Sequence, residues 1–178
     1  LIGNNDANKI EGLAGNDTLT AGSGNDKLIG GLGNDSMIAG SGLDLLYGGR
    51  GSDTMTGGAG RDMFHWEAVD HGVKGTPDVD VITDFTLGVA GDLIDIRELL
   101  VGATYLNIKQ YLNVEVVGSN SILHVSTEGK YTDGIYAAAQ TDLNIQINGL
   151  NLLTVNNNAS MQSSAINDLI TNGNLAIL

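Results

Sequence analysis

The chain has 178 residues, enough for one domain or two small ones with a buried core. Its 21 acidic residues against 8 basic ones give a net charge of -13, which excludes nucleic acid as a partner, because a phosphate backbone needs clustered Lys and Arg, and makes cations the natural counterpart. There is no cysteine for a disulfide or thiolate site, no basic-then-apolar leader, and no apolar run near the roughly 20 residues of a membrane span, so no membrane anchor is expected.

The first third is periodic. With "GGLGNDSMI", Gly30 to Ile38, taken as positions one to nine, stepping by nine residues in both directions gives a regular series from Gly3 to His65. Position six reads Asn8, Asp17, Asp26, Asp35, Asp44, Asp53 and Asp62. Position four reads Asp6, Gly15, Gly24, Gly33, Gly42, Gly51 and Gly60, and position two reads Asn4, Leu13, Gly22, Gly31, Gly40, Gly49 and Gly58. Position eight is apolar throughout: Ile10, Leu19, Leu28, Met37, Leu46, Met55 and Phe64. At 42% apolar composition, a column of seven such residues arises by chance on the order of once in several hundred trials. Leu1 and Ile2 fall at positions eight and nine of a preceding unit, so further repeats are expected upstream.

Each column has a physical reason. Glycines at two and four permit positive φ and close approach of the backbone, so the first six positions predict a tight loop in which Asn34 fills a turn. The last three predict a short strand whose single inward side chain is buried against stacked copies. Strand and loop must reverse direction to close a coil, so two nonapeptides make one turn and like positions superpose every 18 residues. This separates Asn8, Asp26, Asp44 and Asp62 on one edge from Asp17, Asp35 and Asp53 on the other, with neighbours in a column ~4.8 Å apart. Like charges that close repel unless a cation lies between them. Carboxylates and loop carbonyls without Cys or a His cluster make an all-oxygen site that suits calcium better than magnesium. Asp35 is thus expected to share cations with Asp17 and Asp53, not with Asp26 and Asp44.

The pattern resembles the calcium-binding nonapeptide of RTX proteins, G-G-x-G-x-D-x-U-x. The resemblance implies a parallel β-roll in which the position-six Asp and backbone oxygens of positions such as two and four hold Ca²⁺ between consecutive turns. Carried onto this sequence, the ligand set is Asp17, Asp26, Asp35, Asp44, Asp53 and Asp62 with the glycines of those two columns. Asn8 lacks the charge and Asp6 replaces a glycine, which weakens a site at that end, and Leu13 is expected to distort its loop.

From Trp66 the composition changes, and residues 1–65 are separated from residues 66–178 as roll and cap. The fold class expected is mainly β: a parallel β-roll solenoid followed by a small α+β capping domain that covers the open end of the stack. Phe64 plus 18 is Ile82 and Asp62 plus 18 is Asp80, so "DVDVITDF" is expected to add a rung, with Asp80 as a ligand and His71 at the Asp position of the other edge. Asp80, Asp84, Asp92 and Asp95 either build a closing calcium site or lie on an alternating strand with solvent-facing acids. "IRELL" and "YLNIKQYL", the latter with one face through Leu106, Gln110 or Tyr111, and Leu112, read as short helices, and "LNVEVVGSNSILHVS" as a hairpin about Gly118 to Ser121. "LNIQINGL" reads as a strand. Ala165, Ile166, Leu169 and Ile170 recur at helical spacing with Met161, with Asn157 or Asn158 as N-cap and Gly173 as the stop.

This order of apolar runs is similar to the C-terminal domain of type I secreted giant adhesins. The resemblance implies an uncleaved C-terminal signal, here Ile166, Leu169, Ile170, Leu175 and Ile177, read by an inner-membrane type I secretion transporter. It also implies an extracellular or bacterial cell-surface location, with the fragment a monomer. Where calcium is scarce the chain is expected to stay threadable, and outside it to fold from the C-terminus and so resist backsliding.

A catalyst is not expected. H-E-x-x-H, G-x-S-x-G and a P-loop are all missing, and His65, His71 and His124 are scattered. A His65/His71 zinc site is disfavoured, and Trp66 is placed in the core at the junction rather than as a sugar platform. RTX proteases and lipases carry similar repeats behind a catalytic domain, which leaves the C-terminal region of an enzyme as an alternative. Ice or ligand binding is a third, although the Thr18/Thr20 and Thr54/Thr56 triplets do not recur in every repeat.

Overall fold

The computed structural model describes residues 1–104, 107–131, 137–152 and 161–177. The repeats form β1 (Lys9–Ala14), β2 (Thr18–Ser23), β3 (Lys27–Leu32), β4 (Ser36–Gly42), β5 (Leu45–Arg50), β6 (Thr54–Gly60) and β7 (Met63–His65). Alternate strands stack in parallel, and the register advances by 18 residues, as in Leu28 beside Leu46 and Leu19 beside Met37. Each long strand spans positions seven to nine and then one to three of the following repeat, or one to four in β4 and β6, so the loop is shorter than expected and lies within positions four to six. The reason is that the left-handed glycine at position two bends the chain without breaking the ladder: Gly31, at φ +114°, stays in register with Gly49.

Leu13 keeps this geometry too. It adopts φ +76° and pairs with Gly31, so the loop is not distorted and the residue itself carries the strain. The position-eight side chains point between the two sheets, and from Leu19 to Phe64 all are fully buried; Ile10 is half-buried.

Both sheets run on past the repeats. In the first, β7 is followed by β9 (Leu93–Asp95) and then β13 (Leu175–Ala176), all parallel. In the second, β6 pairs with β8 (Asp78–Ile82) and β8 with β12 (Leu143–Ile147), both parallel. The antiparallel hairpin of β11 (Asn120–Val125) and β10 (Leu112–Val117) completes that sheet. Helix α1 (Met161–Thr171) packs against β10 and β13 and stops at Gly173, φ +73°. Ala165, Ile166 and Leu169 are buried in the core with Trp66, Phe85, Leu123 and Ile145.

The hairpin, the strand and the helix fall where the sequence put them. "IRELL" is a turn over residues 97–99, because five residues are too few to nucleate a helix, and it anchors itself by burying Leu99 and Leu100. Among its described residues "YLNIKQYL" supplies a 3₁₀ turn at Ile108–Gln110 and no longer helix, since Leu112 is already in β10 opposite Val125. Leu106, Asn157, Asn158 and Leu178 lie outside the described residues.

Candidate metal centre

Position six closes each loop just before a strand begins, and there the two edges of the roll carry two ladders. On one edge the backbone N–H of Asn8 donates to Asp26 Oδ1 (2.7 Å), Asp26 to Asp44 (2.8 Å), Asp44 to Asp62 (2.9 Å) and Asp62 to Asp92 (2.9 Å). On the other, Asp17 donates to Asp35 (2.8 Å), Asp35 to Asp53 (2.8 Å) and Asp53 to Asp80 (2.9 Å). Asp35 therefore stands between Asp17 and Asp53 and is not bonded to its sequence neighbours in the other column, Asp26 and Asp44.

Asp17, first in its column, accepts none of these N–H groups, and of the other repeat carboxylates only Oδ1 is used in this way. Oδ2 of Asp17, Asp26, Asp35, Asp44, Asp53 and Asp62 is buried and has no hydrogen-bond partner. Leaving a buried carboxylate oxygen unmatched is costly, which makes these six atoms the strongest physical pointer to a bound cation. Where position one is Gly, at Gly12, Gly30, Gly48 and Gly57, the Oδ2 of the same repeat lies close against it. A Cβ on Gly57 would sit 2.5 Å from Asp62 Oδ2, and one on Gly12 would sit 2.9 Å from Asp17 Oδ2 and 2.6 Å from the Gly30 carbonyl oxygen. The missing side chain leaves a carboxylate oxygen and a carbonyl of the next coil facing a common space. An all-oxygen donor set of that kind fits calcium. Among the described residues no three His, Asp or Glu side chains converge, so a cation here needs oxygens beyond the carboxylates.

The glycines of positions two and four sit at the corners beside these columns. Gly22, Gly31, Gly40, Gly49 and Gly58, and Gly15, Gly24, Gly33, Gly42, Gly51 and Gly60, all have positive φ. A Cβ on Gly40 would run into the Gly22 carbonyl, which is the close approach expected of that column.

Burial of four of these acids shows in their protonation. It pushes the Asp53 and Asp62 carboxyls up to about 6, opposed by the backbone N–H of Asp35 and Asp44 and reinforced by the like charges of the same residues. Asp35 and Asp44 are raised in the same direction, again chiefly by burial.

Asp80 takes an Asp position, but in the column of Asp53 instead of Asp62: Met55 pairs with Ile82, 27 residues on, and Phe64 with Ile94, 30 residues on. The loop after β7 adds a whole repeat length before β8, which preserves the nine-residue phase and reverses the edge. The first column is continued by Asp92, and His71 lies in that loop, its Nδ1 against the Gly72 carbonyl. Asp84 accepts the N–H groups of Gly57 (3.0 Å) and Gly58 (2.7 Å) at the corner of β6. Asp95 is gripped by Arg97 at 2.8 and 2.6 Å and faces His65 Nδ1 at 3.2 Å. Burial raises its pKa, but the hydrogen bonds from Arg97 and His65 outweigh it and bring the carboxyl below its ordinary value. The four acids thus form no single closing site, and Asp80, Asp92 and Asp95 are buried instead of facing solvent.

Two signals escaped the sequence reading. Position one is Gly or Ala in every repeat from Gly3 to Gly57, with Ala21 and Ala39 the two exceptions to Gly. Position five is a ladder where it is Asn: Asn16 Oδ1 accepts from Asn34 N–H (2.9 Å), Asn34 from Ser52 (3.0 Å) and Asn25 from Leu43 (3.0 Å). Asn34 therefore links coils and does more than fill a turn. At the N-terminal end Asn8 turns its amide to Asn4, with Nδ2 donating to Asn4 Oδ1 at 3.0 Å. At the other end of the chain Ile166, Leu169, Leu175 and Ile177 are buried, and Ile170 packs against the same core.

A parallel roll of nonapeptides with two columns of half-satisfied aspartates defines the class: a cation-binding β-solenoid. More particularly, residues 2–37 and 29–64 match the family model of the RTX calcium-binding nonapeptide repeat. This part of the chain is an RTX calcium-binding β-roll. No curated protein matches the chain. Among solved structures it is similar to the solution structure of the AlgE6R2 subunit from the Azotobacter vinelandii mannuronan C5-epimerase, at 20% identity and TM-score 0.49, over 99% of this chain and 91% of that one. It is also similar to the AlgE6R3 subunit from the same enzyme, at 24% identity and TM-score 0.43, over 80% of this chain and 72% of that one.

Proposed function

We propose that the chain is a calcium-triggered folding module with a C-terminal export signal, from a large secreted adhesin that acts outside the cell or at its surface. The observation that carries the reading is the set of six buried, unpartnered Oδ2 atoms. Calcium supplies positive charge between like-charged carboxylates; Asp17, Asp35 and Asp53 would hold it on one edge and Asp26, Asp44 and Asp62 on the other, with carbonyl oxygens of the glycine corners completing the shell. Asn8 gives a neutral end to its column. Calcium that binds only the folded coils adds RT ln(1 + [Ca]/Kd) per site and drives the roll to form. Residues 1–65 act as the roll and residues 66–178 as cap and signal.

The apolar residues of the signal lie in the core, so a transporter reads them before the cap folds. The chain itself carries no catalytic step in this reading and works as a monomer. Circular dichroism of the calcium-stripped chain followed by titration with millimolar Ca²⁺ tests it. Growth of the β-signal is expected, and a signal indifferent to calcium rejects the reading.

A further inference from the structure

The two columns continue past the repeats, yet their last members are built differently. Asp80 is fully buried; its Oδ1 accepts the Asp53 N–H, and its Oδ2 accepts the indole N–H of Trp66 at 2.6 Å. Asp92 is buried as well; its Oδ1 accepts the Asp62 N–H, and its Oδ2 accepts the N–H (2.8 Å) and the hydroxyl (3.0 Å) of Thr86. Where the six repeat aspartates have an open Oδ2, these two have a donor of the chain.

The two ends also differ from each other. Trp66 and Asp80 are 14 residues apart, so that end is local. The Asp92 end depends on the far C-terminus. Asn174 is fully buried and donates from Nδ2 to the carbonyls of Asp92 (2.6 Å) and Gly88 (3.2 Å), while its Oδ1 accepts the Gly88 N–H (3.0 Å). Arg61, in the last repeat, donates to the carbonyls of Gly91 (3.0 Å) and Gly173 (3.3 Å).

We infer that Asp80 and Asp92 are metal-free end caps: Trp66 and Thr86 stand where a cation would, so the calcium array stops at Asp53 and Asp62 and the last rung forms without calcium. Asn174 is the positioning residue that makes the Asp92 cap conditional on docking of β13. This inference rests on the reading of the columns as calcium sites. A hydrogen-bond donor satisfies the carboxylate oxygen at no cost in ordered ion, and it fixes a surface on which the first calcium-bearing coil can pair.

The test uses the full chain. Hydrogen exchange in chelator is expected to leave amides of 78–82 and 93–95 protected while those of 9–60 exchange, and added Ca²⁺ is expected to protect both. Trp66→Phe removes the indole donor and leaves Asp80 with an open oxygen. Protection of 78–82 should then become calcium-dependent, with at least ~10-fold faster exchange in chelator. Thr86→Val keeps the backbone donor and should act the same way on 93–95 but more weakly. Asn174→Ala should loosen 93–95 and spare 78–82. Bound calcium counted by native mass spectrometry should fall in Asp53→Asn and stay unchanged in Asp80→Asn.

Loss of a calcium ion in Asp80→Asn, or a last rung that exchanges like the coils in chelated wild type, overturns the caps alone. Wild type that binds no calcium overturns the column reading and the caps with it.

Discussion

Leu28 in the roll and Leu123 in the hairpin are both fully buried, but they are held by different means. Around Leu28 each nonapeptide contributes one large inward side chain and one buried carboxylate with an open oxygen; the other apolar residues nearby, such as Leu32 and Ile38, face outward and are exposed. Around Leu123 a run of β11 is buried, and β10, β12 and α1 supply Val114, Ile145 and Leu169. The roll orders much backbone for little apolar burial and adds charge repulsion, whereas the cap has an ordinary core. The same sheets run through both, so continuity of hydrogen bonding does not imply a shared source of stability.

The largest effect that separates the two regions is removal of calcium. In chelator the far-UV signal of the six long parallel strands of the roll is expected to be lost, while near-UV signal from Trp66 and the cap tyrosines persists. Simultaneous loss of both would show that the roll and the cap are one cooperative unit. Next in size are core truncations. Met55→Ala should cost about 2–5 kcal/mol, visible only in saturating calcium, because without it the coils have no stability to lose. Leu123→Ala should cost a similar amount with calcium or without it. Equal calcium dependence of the two variants in denaturant titrations would break the comparison.

What the sequence made legible follows the same division. The repeat exposes its own geometry: a step of 18 residues, positive φ at Gly31 and Gly33, and Asp35 between Asp17 and Asp53 could all be argued from spacing, because each column has one physical duty. Beyond Trp66 the phase misled. A nine-residue period is indifferent to which edge a residue occupies, so Asp80 kept its phase while the loop after β7 moved it to the other column. Asp92 was legible only as one of four acids of a possible closing site, and its place in the column of Asp62 was not, since its step of 30 residues obeys no repeat. In the cap, the alternation of β12 and the helical spacing of α1 were readable, whereas the turn at residues 97–99 is dictated by where Leu99 and Leu100 find core. The donors to Asp80 and Asp92, Trp66 and Thr86, are tertiary facts with no local signature.

Acid should narrow the contrast between the regions. The folded coils hold Asp53 and Asp62 at about 6, above the ordinary value near 4, so between those two values the folded form binds more protons than the unfolded one. Stability of the calcium-free coils therefore falls as pH rises through this window and is recovered on acidification. The calcium-stripped chain is expected to regain part of its β-signal as pH drops from 7 towards 4.5. In calcium the sign is opposite, because protonation competes with the ion for the same oxygens. A calcium-free β-signal that weakens on acidification would mean that burial of these carboxyls does not limit the roll.

The smallest effect tests the backbone of the roll alone. Leu13 holds φ +76° at a position where every later repeat has glycine, and its side chain is 71% exposed, so it returns little for the strain. A left-handed non-glycine residue costs roughly 1–2 kcal/mol. Leu13→Gly removes that cost but also loosens the unfolded chain by about 0.4–1 kcal/mol. The net gain should be about 0.5–1 kcal/mol, read as a small rise in the denaturant midpoint in saturating calcium. Trp66 fluorescence, which reports the cap, should not shift. A loss of stability instead would assign Leu13 a packing role on the exposed corner and would remove strain as the reason glycine fills that column.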